Sequence, residues 1–467
     1  MLENILYILS ECSLIAGALL LPVRALFGGL TQRFCFSVSK TSVVLSALFA
    51  VLFYNKSFWD TYFSVSAGTT IVFVLSAVTA FVWLIWASKW FGAHKDHHAL
   101  WFCVSALMLL LCLKLMSQTT HLGVLFVLTI VLFFFQYVLF SISRQSEELY
   151  HTGRKYLLIS ALMMGLFAAV LFVLKGQSWQ YEALGDYLTQ APQNIKVFAL
   201  AGIFCVLFFM LGAAPFHFWL ADRIAPLVMP VAMYFALIPF LMLWVLFFRL
   251  NNTLLIGFAE NISSIYLVFG FISVLFGVVG ANASRFVKKI FASVGLYQTG
   301  VLLLVASTMK PNVFPASLIY MELYLYILLG IYICLYAIKT SGEYANNLSA
   351  FKGLVCARPY IGGAFVLLVL MLIGLPPFAL FLTQFTMLMT VAKYPLIVYT
   401  VLLGCVMMVP VYLKIVQTVC FLPREKNFDR ADFITYVGLI VYFALLVLIS
   451  VKPQYILFQE TILSAGM

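Results

Sequence analysis

Two stretches interrupt apolar segments of this chain with glycine and proline: Leu211-Gly212-Ala213-Ala214-Pro215-Phe216-His217 and Ile373-Gly374-Leu375-Pro376-Pro377-Phe378. A helix in lipid satisfies its own backbone hydrogen bonds, so an interrupted helix must find partners in neighbouring protein or in a wet cavity. Paired broken helices in the two halves of a membrane protein are typical of an ion or substrate path. The pattern therefore predicts a transport protein with breaks at Pro215 and at Pro376 and Pro377.

The composition indicates a single polytopic membrane unit. Hydrophobic residues make up 64% of the 467 residues, charged residues make up 9%, and the mean hydropathy is +1.09, which excludes a soluble domain. A bilayer core about 30 Å thick takes about 20 residues of helix. We expect about fourteen spans, the first of them too long for a signal peptide, near residues 3–23, 38–54, 65–88, 98–116, 121–143, 156–174, 193–220, 226–248, 263–281, 290–307, 316–338, 360–390, 394–422 and 433–451.

The charge distribution predicts how the chain is oriented in the membrane. The formal net charge is +11, and most lysine and arginine residues lie in connections that follow odd-numbered spans. Connections on the cytoplasmic side are the ones enriched in these residues. Both termini are therefore expected on the outer side, and the positive charge indicates membrane orientation rather than a nucleic-acid partner.

Neither the cysteines nor the histidines form a cofactor pattern. The nine cysteines are scattered through apolar segments without a CxxC pair, which favours buried structural thiols. His94, His97 and His98 lie together between spans three and four, where a solvated connection is favoured over a metal site. No stretch resembles a nucleotide phosphate loop, a dinucleotide fingerprint, an iron–sulfur ligand set or a pair of haem ligands. We expect this chain to bind no metal or cofactor.

Four motifs follow one another over about residues 195–390. They are PFHFWLAD at 215–222, followed by AP at 225–226 and PV at 230–231; KKIFAS at 288–293, followed by QTG at 298–300; Tyr320, Tyr324 and Gly330; and FKGL at 351–354, followed by Pro359 and GLPP at 374–377. In this order they resemble the motifs of the antiporter-like membrane subunits of respiratory complex I. The number of spans and the length are most similar to the subunit 2, or chain N, branch of that family.

The resemblance implies an architecture and a setting. It implies an all-α bundle with two inverted five-helix repeats, at about 98–249 and 263–422, each with one broken helix. Residues 1–97 would supply three N-terminal helices, and residues 423–467 the last helix and a tail. The chain would be a non-redox subunit of a proton-translocating NADH:quinone oxidoreductase in a bacterial or mitochondrial inner membrane. Its partners would be lipid and the other membrane subunits, while the parent complex would use NADH and quinone.

The chain departs from the family at the positions that carry protons. Proton-pumping members have a glutamate in span five and lysines in spans seven, eight and twelve. Alignment of the motifs places Gln136, Met210, the neutral stretch 238–240 and Gln384 at these positions, and keeps only Lys155 at the start of span six. Glutamine can order water but cannot store a proton at accessible pH. The lysine relay is therefore lost or rebuilt from other residues.

Six residues are candidates for a proton path. Gln136 and Gln384 would hold water at the altered positions, and Lys155 is the retained base. His217 follows the first break, where it would relay protons or, as a neutral histidine, bond to a free carbonyl. Glu322 in span eleven and Lys414 in span thirteen would rebuild the relay or place their charged ends near an interface. Three functions stay open: a proton-moving complex I subunit, a proton-inactive scaffold paralogue, and a subunit of a multi-subunit cation/proton antiporter or ion-coupled uptake system.

Overall fold

The computed structural model of the protein describes residues 8–28, 31–53, 61–94, 98–142, 147–219, 224–310, 312–340, 342–425, 427–429 and 433–451. Two short strands, β1 (Lys339–Thr340) and β2 (Glu343–Tyr344), pair antiparallel between membrane helices. The helices in these ranges are α1 Leu9–Leu26, α2 Gln32–Leu52, α3 Ala67–His94, α4 Ala99–Gln118, α5 Leu122–Ile142, α6 Glu147–Val173, α7 Tyr181–Gln190, α8 Gln193–Leu211, α9 Met229–Asn252, α10 Ala259–Ala283, α11 Val287–Ala306, α12 Val313–Ala337, α13 Leu354–Ala357, α14 Pro359–Ile373, α15 Ala379–Thr390, α16 Pro395–Cys420 and α17 Phe433–Val451.

The predicted all-α membrane fold is confirmed. Twelve helices in the described part of the chain are long and apolar enough to cross a membrane. The broken helix formed by α14 and α15, together with the apolar helix α17, accounts for the other two of the fourteen predicted spans. Hydropathy alone located these spans because each one is a continuous apolar run of membrane length.

The chain folds into two compact units. The first contains the described residues up to Leu211 together with Pro226–Ala259, and the second contains Gly212–Ala225 together with the residues from Glu260 onward. In the first unit α9 is the central helix, packed against α3, α4 and α8. In the second unit the buried helices α11 and α12 are central, and α14, α15 and α16 pack around them. The bounds of the two predicted repeats stay a prediction.

Within the second unit, glycines bring α10 and α11 close together. A Cβ atom on Gly277 would lie 2.5 Å from the backbone nitrogen of Tyr297, and one on Gly300 would lie 2.6 Å from that of Val274. Small residues at a helix crossing let the two backbones approach, which is how membrane helices gain packing contacts without a hydrophobic driving force. This close crossing places α10 beside the polar residues of α11.

We expect Gly277→Ala to destabilise the protein by about 1–3 kcal/mol, since the added methyl group must push apart two helix backbones. Thermal unfolding in mild detergent measures the effect. Gly165→Ala in α6 is the matched control, because no atom lies within 4 Å of the added Cβ there. The control should be neutral or slightly stabilising, since alanine favours a helix more than glycine does. Equal unfolding temperatures for the two variants would contradict the close crossing.

Candidate functional site

The first predicted break is present and is satisfied by a serine from another helix. α8 ends at Leu211, and Gly212 follows with φ +65°, a conformation that favours glycine. The chain then enters a short 3₁₀ turn at Phe216–Trp219. The backbone N–H of Ala214 donates a hydrogen bond of 2.9 Å to Ser273 Oγ in α10. A side chain thus supplies the partner that the interrupted helix cannot provide.

His217 lies in the 3₁₀ turn directly after this break. Its side chain is half-buried, and its ring centroid is 4.9 Å from that of Phe276 in α10. The ring therefore packs beside an aromatic side chain at the edge of the interruption. Its two predicted roles, proton relay and neutral hydrogen-bonding residue, both stay predictions.

The second break is built around Gly374 and Gln384. α14 ends at Ile373, and Gly374, with φ +72°, caps it by donating from its N–H to the carbonyl of Met371. A Cβ atom on Gly374 would lie 2.8 Å from Gln384 Oε1. The same glutamine donates from Nε2 to Cys405 Sγ over 2.8 Å. Gln384 therefore packs its amide against the interrupted backbone, at the position where the resemblance implies a lysine.

Gln136 lies in a buried, uncharged cluster within the first unit. The hydroxyl of Tyr156 donates to Gln136 Oε1 over 2.5 Å, and Gln136 Nε2 donates to the hydroxyl oxygen of Tyr234 over 3.4 Å. All three side chains are buried, and they come from α5, α6 and α9. The amide at the altered glutamate position is held by tyrosines from two other helices.

A second uncharged cluster lies within the second unit. Tyr320 donates to Gln298 Oε1 over 2.6 Å. The hydroxyl of Tyr297 lies 3.1 Å from Cys405 Sγ, the atom that also accepts from Gln384. Hydroxyl, thiol and amide groups thus surround the second altered position. They can hold water or pass hydrogen bonds, but none carries a charge near neutral pH.

The other two altered positions are apolar. Met210 is the next-to-last residue of α8, the neutral stretch 238–240 lies in the middle of α9, and all of these side chains are buried. None of them binds a proton. All four positions at which the resemblance implies an ionisable residue are therefore neutral.

The three charged candidates are found in different surroundings. Lys155 in α6 and Lys414 near the end of α16 are exposed on the surface of the protein. Glu322 is 9% exposed in the interior of α12, and Tyr326, one turn further along, hydrogen-bonds it. The placement of Lys414 agrees with a charged end that reaches an interface, whereas Glu322 is enclosed by protein. Glu322 and Lys414 lie on different helices of the second unit, and the proton-path roles of all three residues stay predictions.

Two lysines that the sequence analysis did not single out are buried. Lys114 in α4 is 3% exposed and forms an ion pair with Glu11 of α1, with 2.6 Å between Nζ and Oε1. Lys288, quoted above only as part of a motif, is buried in the first turn of α11. The sequence signal for Lys114 was a basic residue inside an otherwise apolar run. Its acidic partner could not be identified from the sequence, because it belongs to a different helix.

The burial of the cysteines agrees only in part with the expectation of buried thiols. Four are buried, three are half-buried, and Cys12 and Cys356 are exposed, so the expectation of buried thiols is wrong for these two. Cys12 faces outward from α1 and Cys356 lies in the short helix α13, outside the long spans. No group of three histidine, cysteine, aspartate or glutamate side chains placed to hold a metal ion occurs within the described ranges.

Residues 119–409 match the profile of a protein family described as NADH:quinone oxidoreductase/Mrp antiporter, transmembrane. The chain is similar to the NADH-quinone oxidoreductase subunit N of Pelagibacter ubique, with 25% identity over 67% of each protein. It is 28% identical to the subunit N of Hirschia baltica over 60% of this chain and 59% of that protein. The chain thus spans about three fifths to two thirds of the length of these relatives.

Solved structures share the fold. A chain of respiratory complex I from Thermus thermophilus with bound aureothin has a TM-score of 0.79 at 19% identity, over 95% of this chain and 97% of that one. A chain of the Mrp complex from Dietzia has a TM-score of 0.83 at 15% identity, over 100% of this chain and 97% of that one. At these identities the likeness concerns the fold alone.

We expect Tyr156→Phe to destabilise the protein by about 1 kcal/mol or more, because it leaves the buried Oε1 of Gln136 without a donor. Thermal unfolding in detergent measures the loss. Tyr399→Phe is the matched control, since Tyr399 is 70% exposed in α16. Adding Gln136→Leu to Tyr156→Phe should cost less than the sum of the two single changes, since both remove the same hydrogen bond. Additive losses would show that this bond does not couple the two residues.

Proposed function

Because the chain belongs to the NADH:quinone oxidoreductase/Mrp antiporter transmembrane family, we propose that it is a membrane-arm subunit of a complex I-like NADH:quinone oxidoreductase. The names of its bacterial relatives support this assignment. The other membrane subunits of the assembly are its partners. NADH and quinone react elsewhere in the parent complex, and this chain takes part in no redox step. The chain is a multi-pass protein of a bacterial or mitochondrial inner membrane with both termini on the outer side.

The single observation that defines this subunit within the assembly is that the four relay positions are neutral, with Gln384 half-buried and the others buried. Gln136 is bonded to two tyrosines and Gln384 to a thiol, while Met210 and the stretch 238–240 are apolar. A proton passing through such positions has no ionisable side chain on which to rest. We therefore infer that the subunit keeps the fold of a proton-pumping relative while its own lysine relay does not operate.

A second assignment, to a multi-subunit cation/proton antiporter, is favoured by one specific observation. The description of the family that residues 119–409 match names the Mrp antiporter beside NADH:quinone oxidoreductase. The two assignments differ in their partners: a complex I-like assembly includes NADH dehydrogenase subunits, whereas an antiporter assembly does not. Identification of the bound partners therefore separates them.

We expect the tagged full-length protein, purified in mild detergent, to retain NADH dehydrogenase subunits. Mass spectrometry of the retained proteins measures this. The same preparation from cells producing an untagged chain is the control for nonspecific binding. Recovery of other antiporter subunits without NADH dehydrogenase subunits would support the second assignment. Recovery of an unrelated uptake protein, or of no partner, would contradict both.

We expect the double variant Lys155→Ala, Glu322→Gln to leave the number of protons moved per electron unchanged in the assembled complex. The reason is that the four relay positions of this subunit are neutral already. Proton release into sealed membrane vesicles, divided by the rate of NADH oxidation, measures the ratio. The amount of assembled complex, determined in the same membranes, controls for loss of the subunit. A lower ratio at equal assembly would show that the relay has been rebuilt through these residues.

A further inference from the structure

An arginine at the end of α9 in the first unit is held by neutral groups. Arg249 lies in the last turn of α9, and its side chain is half-buried. Nη1 donates to Ser64 Oγ and, over 3.0 Å, to the carbonyl of Gln118, while Nη2 donates to the carbonyl of Ser64 over 3.0 Å. In the part of the chain that the structure describes, no carboxylate oxygen lies within 4.0 Å of this guanidinium. The described residues therefore leave its positive charge without a counterion.

The guanidinium of Arg249 retains donors that an anion can use. A guanidinium carries five N–H groups, and the bonds to Ser64 and Gln118 use three of them. Because Nη1 and Nη2 both donate to Ser64, the two remaining N–H groups lie side by side on another edge, one on Nε and one on Nη2. Such a pair matches two oxygens of one phosphate or carboxylate group. The three existing bonds fix the plane in which this edge points.

A second donor without a partner lies beside this arginine. Tyr181, the first residue of α7, is 1% exposed, and its hydroxyl group is buried without a hydrogen-bond partner among the described residues. Its backbone N–H donates to the carbonyl of Thr120 over 2.9 Å, two residues along the chain from Gln118. Its side chain is close enough to Arg249 to interact with it electrostatically. The hydroxyl of Thr119, nearby, bonds to two backbone carbonyls instead. A buried hydroxyl without a partner is costly, so an acceptor supplied by a ligand would stabilise it.

This end of α9 lies at the depth of lipid headgroups. α9 ends at Asn252, three residues after Arg249, so the arginine is about one turn from the end of a membrane helix. Aromatic rings surround the connection that follows α4: the ring centroid of His121 is 5.2 Å from that of Tyr62 and 6.1 Å from that of Trp179. Tyrosine and tryptophan are enriched where hydrocarbon meets water. The anion that is most available at this depth is the phosphate group of a phospholipid.

We propose that Arg249 and Tyr181 bind the phosphate group of a phospholipid at this end of α9. The free edge of the guanidinium donates to two phosphate oxygens, and the Tyr181 hydroxyl donates to the same group. Ser64 and Gln118 hold the guanidinium in place for this contact. Binding neutralises the charge of Arg249 and gives the Tyr181 hydroxyl an acceptor, and no covalent bond changes.

Native mass spectrometry of the full-length chain, purified in mild detergent, tests the site by counting the lipids bound at each lipid concentration. Dioleoylphosphatidylglycerol is the probe, because its phosphate is its only charge. Dioleoylglycerol, which has the same acyl chains and no phosphate, is the matched control ligand. We expect one phosphatidylglycerol molecule to bind more tightly than the rest, and no diacylglycerol molecule to do so. Equal binding of the two lipids would overturn the proposal.

Tyr181→Phe separates a lipid site from a purely structural role. It removes a hydroxyl group that has no partner among the described residues, so folding should be preserved. The affinity of the tight site should fall about threefold to tenfold, since a hydrogen bond to a charged group is lost. Tyr187→Phe in the same helix is the matched control and should bind as the unmodified chain does. An unchanged affinity in Tyr181→Phe would contradict the role of this hydroxyl.

Arg249→Gln removes the charge and the free edge together. We expect the affinity of the tight site to fall about tenfold or more, because charge-assisted bonds to the phosphate are lost. Arg24→Gln, at an exposed arginine in the last turn of α1, removes one charge elsewhere and should have no effect. Equal losses in the two variants would show nonspecific attraction and overturn the site. If Arg249→Gln does not accumulate, Tyr181→Phe decides the question.

A free anion is the other source of the same chemistry. Inorganic phosphate, added at the concentration of the lipid, should not displace phosphatidylglycerol, since the acyl chains add contacts that the ion lacks. Displacement would assign the site to a free anion and overturn the lipid assignment. The bound lipid is counted on this chain alone, so the result is independent of the proposed function.

Discussion

The structure depends on satisfying the backbone where two membrane helices are interrupted. In lipid no water is present to bond a free N–H or carbonyl group, so each break requires a partner from protein. Ser273 supplies it for Ala214 at the first break. At the second, Gly374 caps its own helix and Gln384 packs against the glycine. The close crossing of α10 and α11 sets the position of α10, which carries Ser273.

The glutamines at the altered positions have a structural consequence as well as a chemical one. An amide can donate and accept at once, so Gln136 bonds to both Tyr156 and Tyr234, and Gln384 bonds to Cys405. These bonds join helices without requiring the desolvation of a charge, which is the main cost of a buried ion in a low-dielectric interior. Neutral side chains at these positions therefore join the helices of each unit without placing a group that stores protons there.

An ion pair joins two described membrane helices in the N-terminal part of the chain. Glu11 and Lys114 join α1 to α4, and a hydroxyl group from Ser10 completes the surroundings of the ammonium. Intramembrane charges are expensive and usually mark a task. The chain thus combines neutral residues at the positions that the resemblance singles out with a charged pair in helices that precede them.

The sequence by itself determined the spans and both breaks, because hydropathy and the conformational demands of glycine and proline act over a few neighbouring residues. It also predicted neutral residues at the positions where the resemblance implies ionisable ones, and this assignment stays a prediction. Only the tertiary structure decided that Glu11 meets Lys114, that two tyrosines hold Gln136, and that Glu322 is buried while Lys414 is exposed. In a chain this apolar, every face of a helix looks alike in sequence. Which face meets protein and which meets lipid is set by packing between helices that are distant along the chain.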